Sequence, residues 1–159
     1  MASLITIRDA SEGDRDFLVH SNAAMAQETE AKVLDRAILA RGVAALLAAP
    51  QRGFYLIAER AGERVGCLLV THEWSDWRNG DWWWLQSVYV TPPARRSGVF
   101  RALYAEVERR ARCAAEVVGL RLYVERNNRA AQATYAALGM RDAGYAMLEA
   151  ACPRPPATG

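Results

Sequence analysis

Residues 88–101 read Val88-Tyr89-Val90-Thr91-Pro92-Pro93-Ala94-Arg95-Arg96-Ser97-Gly98-Val99-Phe100-Arg101. The order indicates a β-branched strand, two prolines that end it, a basic turn with one glycine, and the start of a helix. Amides at a helix N-terminus carry the positive end of the helix dipole, and Arg95 and Arg96 add formal charge. The stretch predicts a site for a phosphate group, with Gly98 permitting close backbone approach. Taken alone, it also fits an ordinary turn with solvated arginines.

A second informative stretch runs from Asn127 to Met140 and follows a strand predicted over residues 120–125. Asn128 and Tyr135 are seven residues apart, which is about two helical turns, so their side chains point to the same side of a helix. Each residue also has a plain structural interpretation. Asn128 fits a helix N-cap, and Tyr135 fits a ring that packs with its hydroxyl at the surface.

The hydrophobic patterns predict alternating elements along the rest of the chain. A strand over residues 4–8 precedes a helix that begins after Ser11 and runs to about Gln27, and a second helix covers residues 35–49. Further strands are expected at residues 54–59, 65–72, 81–90, 120–125 and 144–149, with helices at residues 100–116 and 128–138. This order predicts an α/β domain over residues 1–152, with a central mixed, mostly antiparallel sheet and helices on both faces. Residues 153–159 are expected to form a disordered tail.

Length, charge and cysteine content exclude several classes of protein. The 159 residues fit one domain, and a net charge of +2 with scattered arginines gives no case for nucleic acid. Cys67, Cys113 and Cys152 have neither the spacing of a disulfide framework nor that of a zinc site, and two histidines, His20 and His72, predict no metal. The sequence has no apolar run long enough to span a bilayer and no signal pattern, so we expect a cytoplasmic protein without membrane contact.

In their combination and order, the two stretches resemble the GNAT superfamily of acetyl-CoA-dependent N-acetyltransferases. Arg95-x-x-Gly98 matches the first part of the family's pyrophosphate loop, (Q/R)-x-x-G-x-(G/A), and Asn128-x-x-Ala131-x-x-x-Tyr135 matches its later helix. Phe100 departs from the pattern, since the family usually has Gly or Ala there. Residues 73–80 also resemble, more weakly, the loop of the diamine and polyamine acetyltransferases.

The resemblance implies a single-domain GNAT fold, acetyl-CoA as cosubstrate and no metal. Backbone groups of Val88 and Val90 would hold the pantetheine arm, and amides of residues 96–101 would bind the pyrophosphate. The implied coenzyme contacts are Val88, Tyr89, Val90, Arg95, Arg96, Ser97, Gly98, Val99, Phe100, Arg101, Asn128, Ala131 and Tyr135. Tyr135 occupies the position of the general acid that protonates the departing thiolate, and a strand amide near Val88 would stabilise the oxyanion.

The general base is not identified by the sequence. Some polyamine-type relatives have a Glu at the position of Gln86, and an amide cannot accept the proton. The proton must leave through water or through Glu28, Glu30, His72, Glu73, Asp76 or Tyr145. We favour Glu28 or Glu73 as the catalytic carboxylate, although each also fits a solvated surface charge.

All five tryptophans lie within residues 74–84. Because side chains alternate across a strand, Trp82 and Trp84 should share one face and Trp83 the other. An aromatic wall would bind an amine through cation–π contact, whereas core or dimer packing is the alternative explanation. The predicted substrate contacts are Glu28, Trp74, Asp76, Trp77, Trp84, Gln86 and Tyr145.

The function expected from this sequence is acetyl transfer from acetyl-CoA to a primary amine of a small molecule, by direct attack in a ternary complex. A homodimer is expected, as in many relatives of the superfamily. Two alternatives remain open. One is a catalytically silent acetyl-CoA sensor or partner-binding module, and the other is a protein or peptide N-acetyltransferase, which usually needs an open groove.

Overall fold

The computed structural model describes residues 4–153. Five strands and four α-helices form within those residues, in the order β1 (Ile5–Asp9), α1 (Arg15–Glu30), α2 (Arg36–Leu47), β2 (Gly53–Arg60), β3 (Glu63–Ser75), β4 (Gly80–Val90), α3 (Val99–Cys113), β5 (Val117–Arg121) and α4 (Arg129–Ala137). The chain divides into two compact units. The first ends at Leu122 and holds the whole sheet with α1 to α3, and the second begins at Tyr123 and holds α4.

The sheet has the strand order β1-β2-β3-β4-β5. The first three pairings are antiparallel and the last, between β4 and β5, is parallel. Ala61 and Gly62 join β2 to β3 with φ angles of 52° and 80°, the left-handed pair that a two-residue hairpin turn requires. The predicted mixed, mostly antiparallel sheet is confirmed.

Helices pack on both faces of this sheet. On one face, Leu18 of α1 and Val43 of α2 join a buried cluster with Ile57 of β2 and Cys67 of β3. On the other face α3 lies so close to Gly66 that a Cβ there would stand 2.9 Å from a side-chain carbon of Val99. The predicted two-sided covering of the sheet is therefore confirmed.

The structure differs from the sequence-based expectations at the C-terminal side. The fifth strand covers Val117–Arg121 instead of residues 120–125, because the parallel ladder starts where Asp81 of β4 meets Val117. The strand expected over residues 144–149 is wrong, since this segment is irregular and Tyr145 and Leu148 are 79% and 91% exposed. An alternating apolar pattern forms a strand only where an edge pairs with it. The expected disordered tail lies, apart from Pro153, outside the described residues.

Three further findings bear on function. No helix between residues 4 and 153 is both long and apolar enough to cross a membrane. In the same part of the chain, His, Cys, Asp and Glu side chains form no group of three that could hold a metal ion. Cys67 is a buried free thiol, and Cys113 and Cys152 are exposed free thiols.

Candidate active site

A β-bulge interrupts β4 near its C-terminal end. Two residues of β4, Ser87 and Val88, lie opposite the single Leu68 of β3, and Ser87 has a φ of 47°. A bulge bends its strand and disrupts the local ladder. The strand therefore changes course at the residues whose backbone is predicted to hold the coenzyme arm.

The neighbouring strands β4 and β5 also part at this point. Their parallel ladder runs from Asp81 to Trp84, and no strand in the described chain pairs with residues 85–90 on that side. Each strand residue carries one backbone donor and one acceptor that seek partners. The C-terminal half of β4 thus presents an edge along which an extended ligand can bind.

The loop after β4 leads directly into the first turn of α3. Arg96 and Gly98 both adopt left-handed backbone angles, with φ of 59° and 87°, and the first bond within the helix runs from the amide of Ala102 to the carbonyl of Gly98 at 3.0 Å. A Cβ on Gly98 would meet no atom within 4 Å. The loop borders a cavity of about 510 Å³ lined by Val90, Ala94, Arg95, Arg96, Gly98, Val99, Phe100 and Arg101. An open, cationic helix N-terminus of this kind fits a pyrophosphate.

Arg95 has a different environment from the one expected for a phosphate ligand. Its Nε donates to the carbonyl of Val90 at 3.0 Å, and its Nη2 donates to a carboxylate oxygen of Glu28 at 2.6 Å. Its guanidinium carbon lies 5.7 Å from the centre of the Tyr89 ring. Arg95 therefore connects the end of α1 to the end of β4, and Glu28, one of the two favoured bases, is ion-paired.

Two further residues, one in the loop and one in the first turn of α3, contact neighbouring side chains. Arg60 of β2 donates to Ser97, a contact that the sequence analysis missed because no local pattern links residues 37 positions apart. The ring of Phe100, the departure from the family pattern, packs at a tilt against Tyr104 with centroids 6.1 Å apart. Phe100 thus contacts another residue of α3 and also lines the cavity.

Polar and aromatic side chains share the sheet face beside this loop. Trp84 donates from its indole nitrogen to Glu73, whose other carboxylate oxygen accepts from Arg121 at 3.1 Å. Two residues further along β4, the Gln86 amide donates to the hydroxyl of Thr71 at 2.6 Å. The structure therefore brings together Glu73, Trp84 and Gln86, three of the predicted site residues.

The predicted division of the tryptophans between faces is confirmed for β4. Trp83 lies on the opposite face from Trp84, with ring centroids 5.2 Å from Phe54 and 5.9 Å from His72. His72, one of the wider set of candidate bases, is thus on the opposite face from Glu73 as well. Glu30, another of that set, forms an ion pair with Lys32.

Trp74 and Trp77, two other predicted substrate residues, lie away from this sheet face. Trp74 pairs with Asp81, which lies an odd number of residues before Trp84 on β4. Its side chain therefore projects from the other face of the sheet, where it is 60% exposed. Trp77 is 86% exposed in the β3–β4 turn, where its amide donates to Asp76. Tyr145 is exposed in the irregular segment of the second unit.

The second unit presents the later motif on α4. Asn128 is the N-cap of this helix and accepts a hydrogen bond from the amide of Ala131 at 3.0 Å. Tyr135 is half-buried on α4, and burial raises the pKa of its phenol above the usual value. Burial thus favours the neutral, protonated form of this hydroxyl.

Comparisons with known proteins identify the family of this chain. The family model described as "Acetyltransferase (GNAT) family" matches residues 19–140. The chain is similar to a possible acetyltransferase from Clostridium difficile 630, at 40% identity over 95% of this chain and 99% of that one, with a TM-score of 0.89. A comparison with curated proteins gives no match.

Two more distant structures share the fold. One is a predicted acetyltransferase with acetyl-CoA from Clostridium acetobutylicum, at 17% identity over 92% of this chain and 96% of that one, with a TM-score of 0.73. The other is AAC(6')-Iy in complex with the bisubstrate analogue CoA-S-monomethyl-acetylneamine, at 17% identity over 95% of this chain and 100% of that one, with a TM-score of 0.74. The chain belongs to the acetyltransferase (GNAT) family and is an acetyl-CoA-dependent N-acetyltransferase.

Proposed function

We propose that this enzyme transfers acetyl from acetyl-CoA to a primary amine of a small molecule, within a ternary complex and with residues 1–152 acting as one domain. The observation that carries the proposal is the open left-handed turn at Gly98, which borders the cavity beside the unpaired edge of β4. The turn suits a pyrophosphate and the strand edge suits the extended arm that follows it in the coenzyme. Acetyl-CoA supplies the activated acetyl group as a thioester.

The proposed coenzyme contacts follow from these two features. Main-chain groups of Val88 and Val90 hold the pantetheine arm, and the amides of the first turn of α3 bind the pyrophosphate with charge from Arg96 and Arg101. Arg95 acts indirectly, because its hydrogen bonds go to the Val90 carbonyl and to Glu28. Tyr89, Ser97, Val99 and Phe100 complete this set, and Asn128, Ala131 and Tyr135 are assigned to the coenzyme by their places in the family's motif.

Two proton transfers accompany the reaction. Tyr135 is the proposed donor of a proton to the departing thiolate. The attacking amine must first lose a proton, and Gln86 cannot accept it. Glu28 and Glu73 are the proposed bases, each next to an arginine in the structure. Trp84 and Gln86 line the acceptor side together with Glu73, and Trp74, Asp76, Trp77 and Tyr145 stay as proposed substrate contacts.

Release of free CoA thiol tests this function. The acceptor panel contains polyamines, amino acids, aminoglycosides and short peptides, with a blank that lacks amine. Turnover with a small amine and not with peptides is the expected result. Turnover confined to peptides would instead identify a protein acceptor.

A Tyr135→Phe variant tests the general acid. We expect kcat to fall by about 10²- to 10⁴-fold with coenzyme binding retained, the usual range for a positioned acid. Tyr123→Phe is the matched control, since Tyr123 is exposed on the same unit. Full turnover by the Tyr135 variant across the pH range would remove the assignment.

A silent acetyl-CoA sensor is the second candidate function. The amide of Gln86 and its hydrogen bond to Thr71 favour it, because this position then has no group that accepts a proton. A sensor would show a thermal shift with acetyl-CoA and release no thiol with any acceptor in the same samples.

We further propose a cytoplasmic homodimer. Two exposed tryptophans, Trp74 near the end of β3 and Trp77 in the β3–β4 turn, offer apolar surface for a second copy. The three free thiols suit a reducing compartment. Sedimentation at high protein concentration tests the dimer, and a single species at 17.6 kDa would refute it.

A further inference from the structure

Arg121 ends β5 on the same sheet face as Trp84 and Gln86. Its side chain is 24% exposed, its Nη1 donates to Glu73, and its Nε and Nη2 have no hydrogen-bond partner in the described part of the chain. We infer that the acceptor carries an anionic group, a carboxylate or a phosphate, and that Arg121 binds it. The inference rests on the proposed acetylation of a small amine and names the class of that amine.

The first argument is the charge of this face. The guanidinium carbons of Arg121 and Arg78 lie 4.0 Å and 5.2 Å from the centre of the Trp82 ring, so the chain itself supplies the cations that contact this ring. Glu73 is the carboxylate within this group, and both of its oxygens accept hydrogen bonds. This group has two positive side chains and one negative side chain, so its net charge is positive. It therefore repels a second ammonium group of the acceptor and attracts an anion.

The second argument is hydrogen-bond geometry. A guanidinium presents its donors in a planar fork that matches two oxygens of a carboxylate or phosphate. Arg121 is held in place by the Trp82 ring and by Glu73, so little side-chain freedom is lost when an anion binds. The partnerless Nε and Nη2 form one edge of that fork.

The third argument is distance along β4. Arg121 pairs with Trp84, which precedes Gln86 by two residues and Val88 by four. At roughly 3.3 Å per strand residue, the anion site lies about 7–13 Å from the part of β4 where the acetyl group is expected. The acceptor is therefore a primary amine with its anionic group several bonds away.

Four acceptors with the same six-carbon chain test the inference on the full-length protein. They are 6-aminohexanoate, 6-aminohexyl phosphate, 6-aminohexanamide and 1,6-diaminohexane. We expect kcat/KM for at least one anionic acceptor to exceed that for the amide by about 10-fold or more, with the diamine poorest. The carboxylate and phosphate arms identify which anion the site prefers. Equal or better use of the amide or the diamine would overturn the inference.

Variants of the network make the test specific. Arg121→Gln should reduce the ratio of kcat/KM between anionic and amide acceptors by about 10- to 100-fold, whereas Glu73→Gln should raise it, because a repelling carboxylate is removed. The ratio cancels any effect of Glu73 as a base. Arg112 is an exposed arginine of α3 that pairs with Glu108, and Arg112→Gln should leave this ratio unchanged. An unchanged ratio in the Arg121 variant would contradict the inference.

A binding measurement separates this inference from the proposed function. Tryptophan fluorescence is titrated with 6-acetamidohexanoate, and 6-acetamidohexanamide is the neutral control. If no acceptor is acetylated, Arg121-dependent binding of the carboxylate overturns the proposed transfer and keeps the anion site, whereas the absence of such binding overturns both. Arg121→Lys, which keeps the charge, serves if the Gln variant does not fold.

Discussion

Arg60 at the end of β2 donates from Nη2 to the Ser97 hydroxyl at 2.7 Å and to the Ser97 carbonyl at 3.2 Å. The hydroxyl in turn donates to the carbonyl of Ala94 at 2.5 Å. The loop before α3 is thus tied to a neighbouring strand as well as to itself. Because a loop held in its binding conformation loses less entropy when a ligand arrives, these bonds should favour acetyl-CoA binding at the proposed site.

Removal of either partner should weaken acetyl-CoA binding without slowing chemistry. A typical hydrogen bond contributes about 0.5–1.5 kcal/mol, so we expect KM for acetyl-CoA to rise about 2- to 10-fold in Ser97→Ala and in Arg60→Gln. Steady-state kinetics at saturating amine measures it. Arg41→Gln, an exposed change on α2, is the control. A fall in kcat at constant KM would show that the contact acts on the reaction instead.

Gly98 combines a left-handed backbone with open space. An L side chain in this conformation costs about 1–2 kcal/mol, so Gly98→Ala should lower Tm by about 2–8 °C and fill the phosphate cradle. Gly62→Ala is a matched control, since Gly62 has a φ of 80°, equally open space, and a place in the β2–β3 turn. Both variants should lose stability, and the Gly98 variant alone should lose at least about 10-fold in acetyl-CoA affinity by calorimetry. Equal affinities in the two would refute the cradle.

Those features of the site that depend on residues close together in the sequence could be predicted. The turn at Gly98, the N-cap at Asn128 and the alternation of Trp83 and Trp84 each follow from backbone chemistry within a few positions. The antiparallel β2–β3 hairpin was predictable for the same reason, because a short turn makes adjacent strands pair. Local chemistry thus predicted most of the fold and the glycine turn before α3.

Side-chain partners across the sheet could not be predicted in this way. The Arg95–Glu28 pair spans 67 residues and the Arg121–Glu73 pair spans 48, and each depends on which strands and helices become neighbours. Each pair gives Glu28 or Glu73 an arginine partner that the sequence analysis did not assign to it. The missing strand over residues 144–149 has the same cause, because a strand needs a partner that its own sequence does not specify.

Gly66 allows α3 to pack closely on the sheet. A Cβ there would stand 2.9 Å from the Tyr89 carbonyl oxygen and 2.9 Å from a Val99 side-chain carbon. Gly66→Ala should therefore destabilise the protein by about 1–3 kcal/mol, the usual cost of overpacking. A Cβ on Gly42 in α2 would meet no atom within 4 Å, so Gly42→Ala should stabilise the protein by about 0.5–1 kcal/mol. Urea denaturation distinguishes them, and similar midpoints for the two variants would contradict close packing at Gly66.

The buried carboxylate of Asp14 should make the stability of the wild-type protein depend on pH in the acid range. Its oxygens accept from Arg8 at 2.7 Å and 2.9 Å, from Arg64 at 2.6 Å and from the amide of Ser11 at 2.8 Å. The hydrogen bonds from Arg8, with those from Ser11 and Arg64, hold the pKa of this carboxyl well below its ordinary value of 3.8 despite the opposing effect of burial. A carboxylate with a lowered folded-state pKa stabilises the fold above the unfolded pKa, and this contribution is lost as the pH falls toward the folded value.

Asp14→Asn should consequently lower the free energy of unfolding by about 2–3 kcal/mol at pH 7. The loss is smaller than for a fully buried ion pair because Arg8 and Arg64 are partly exposed. The gap between the two proteins should narrow as the pH falls from about 4 to 3, when wild type alone begins to lose this contribution. Glu106, whose pKa Arg109 and Arg110 lower to about 2, is present in both proteins and cancels from the difference. Urea denaturation at pH 7, 4 and 3 measures the gap, with exposed Asp16→Asn as the control. A gap that stays constant with pH would show that the carboxylate's charge does not stabilise the fold.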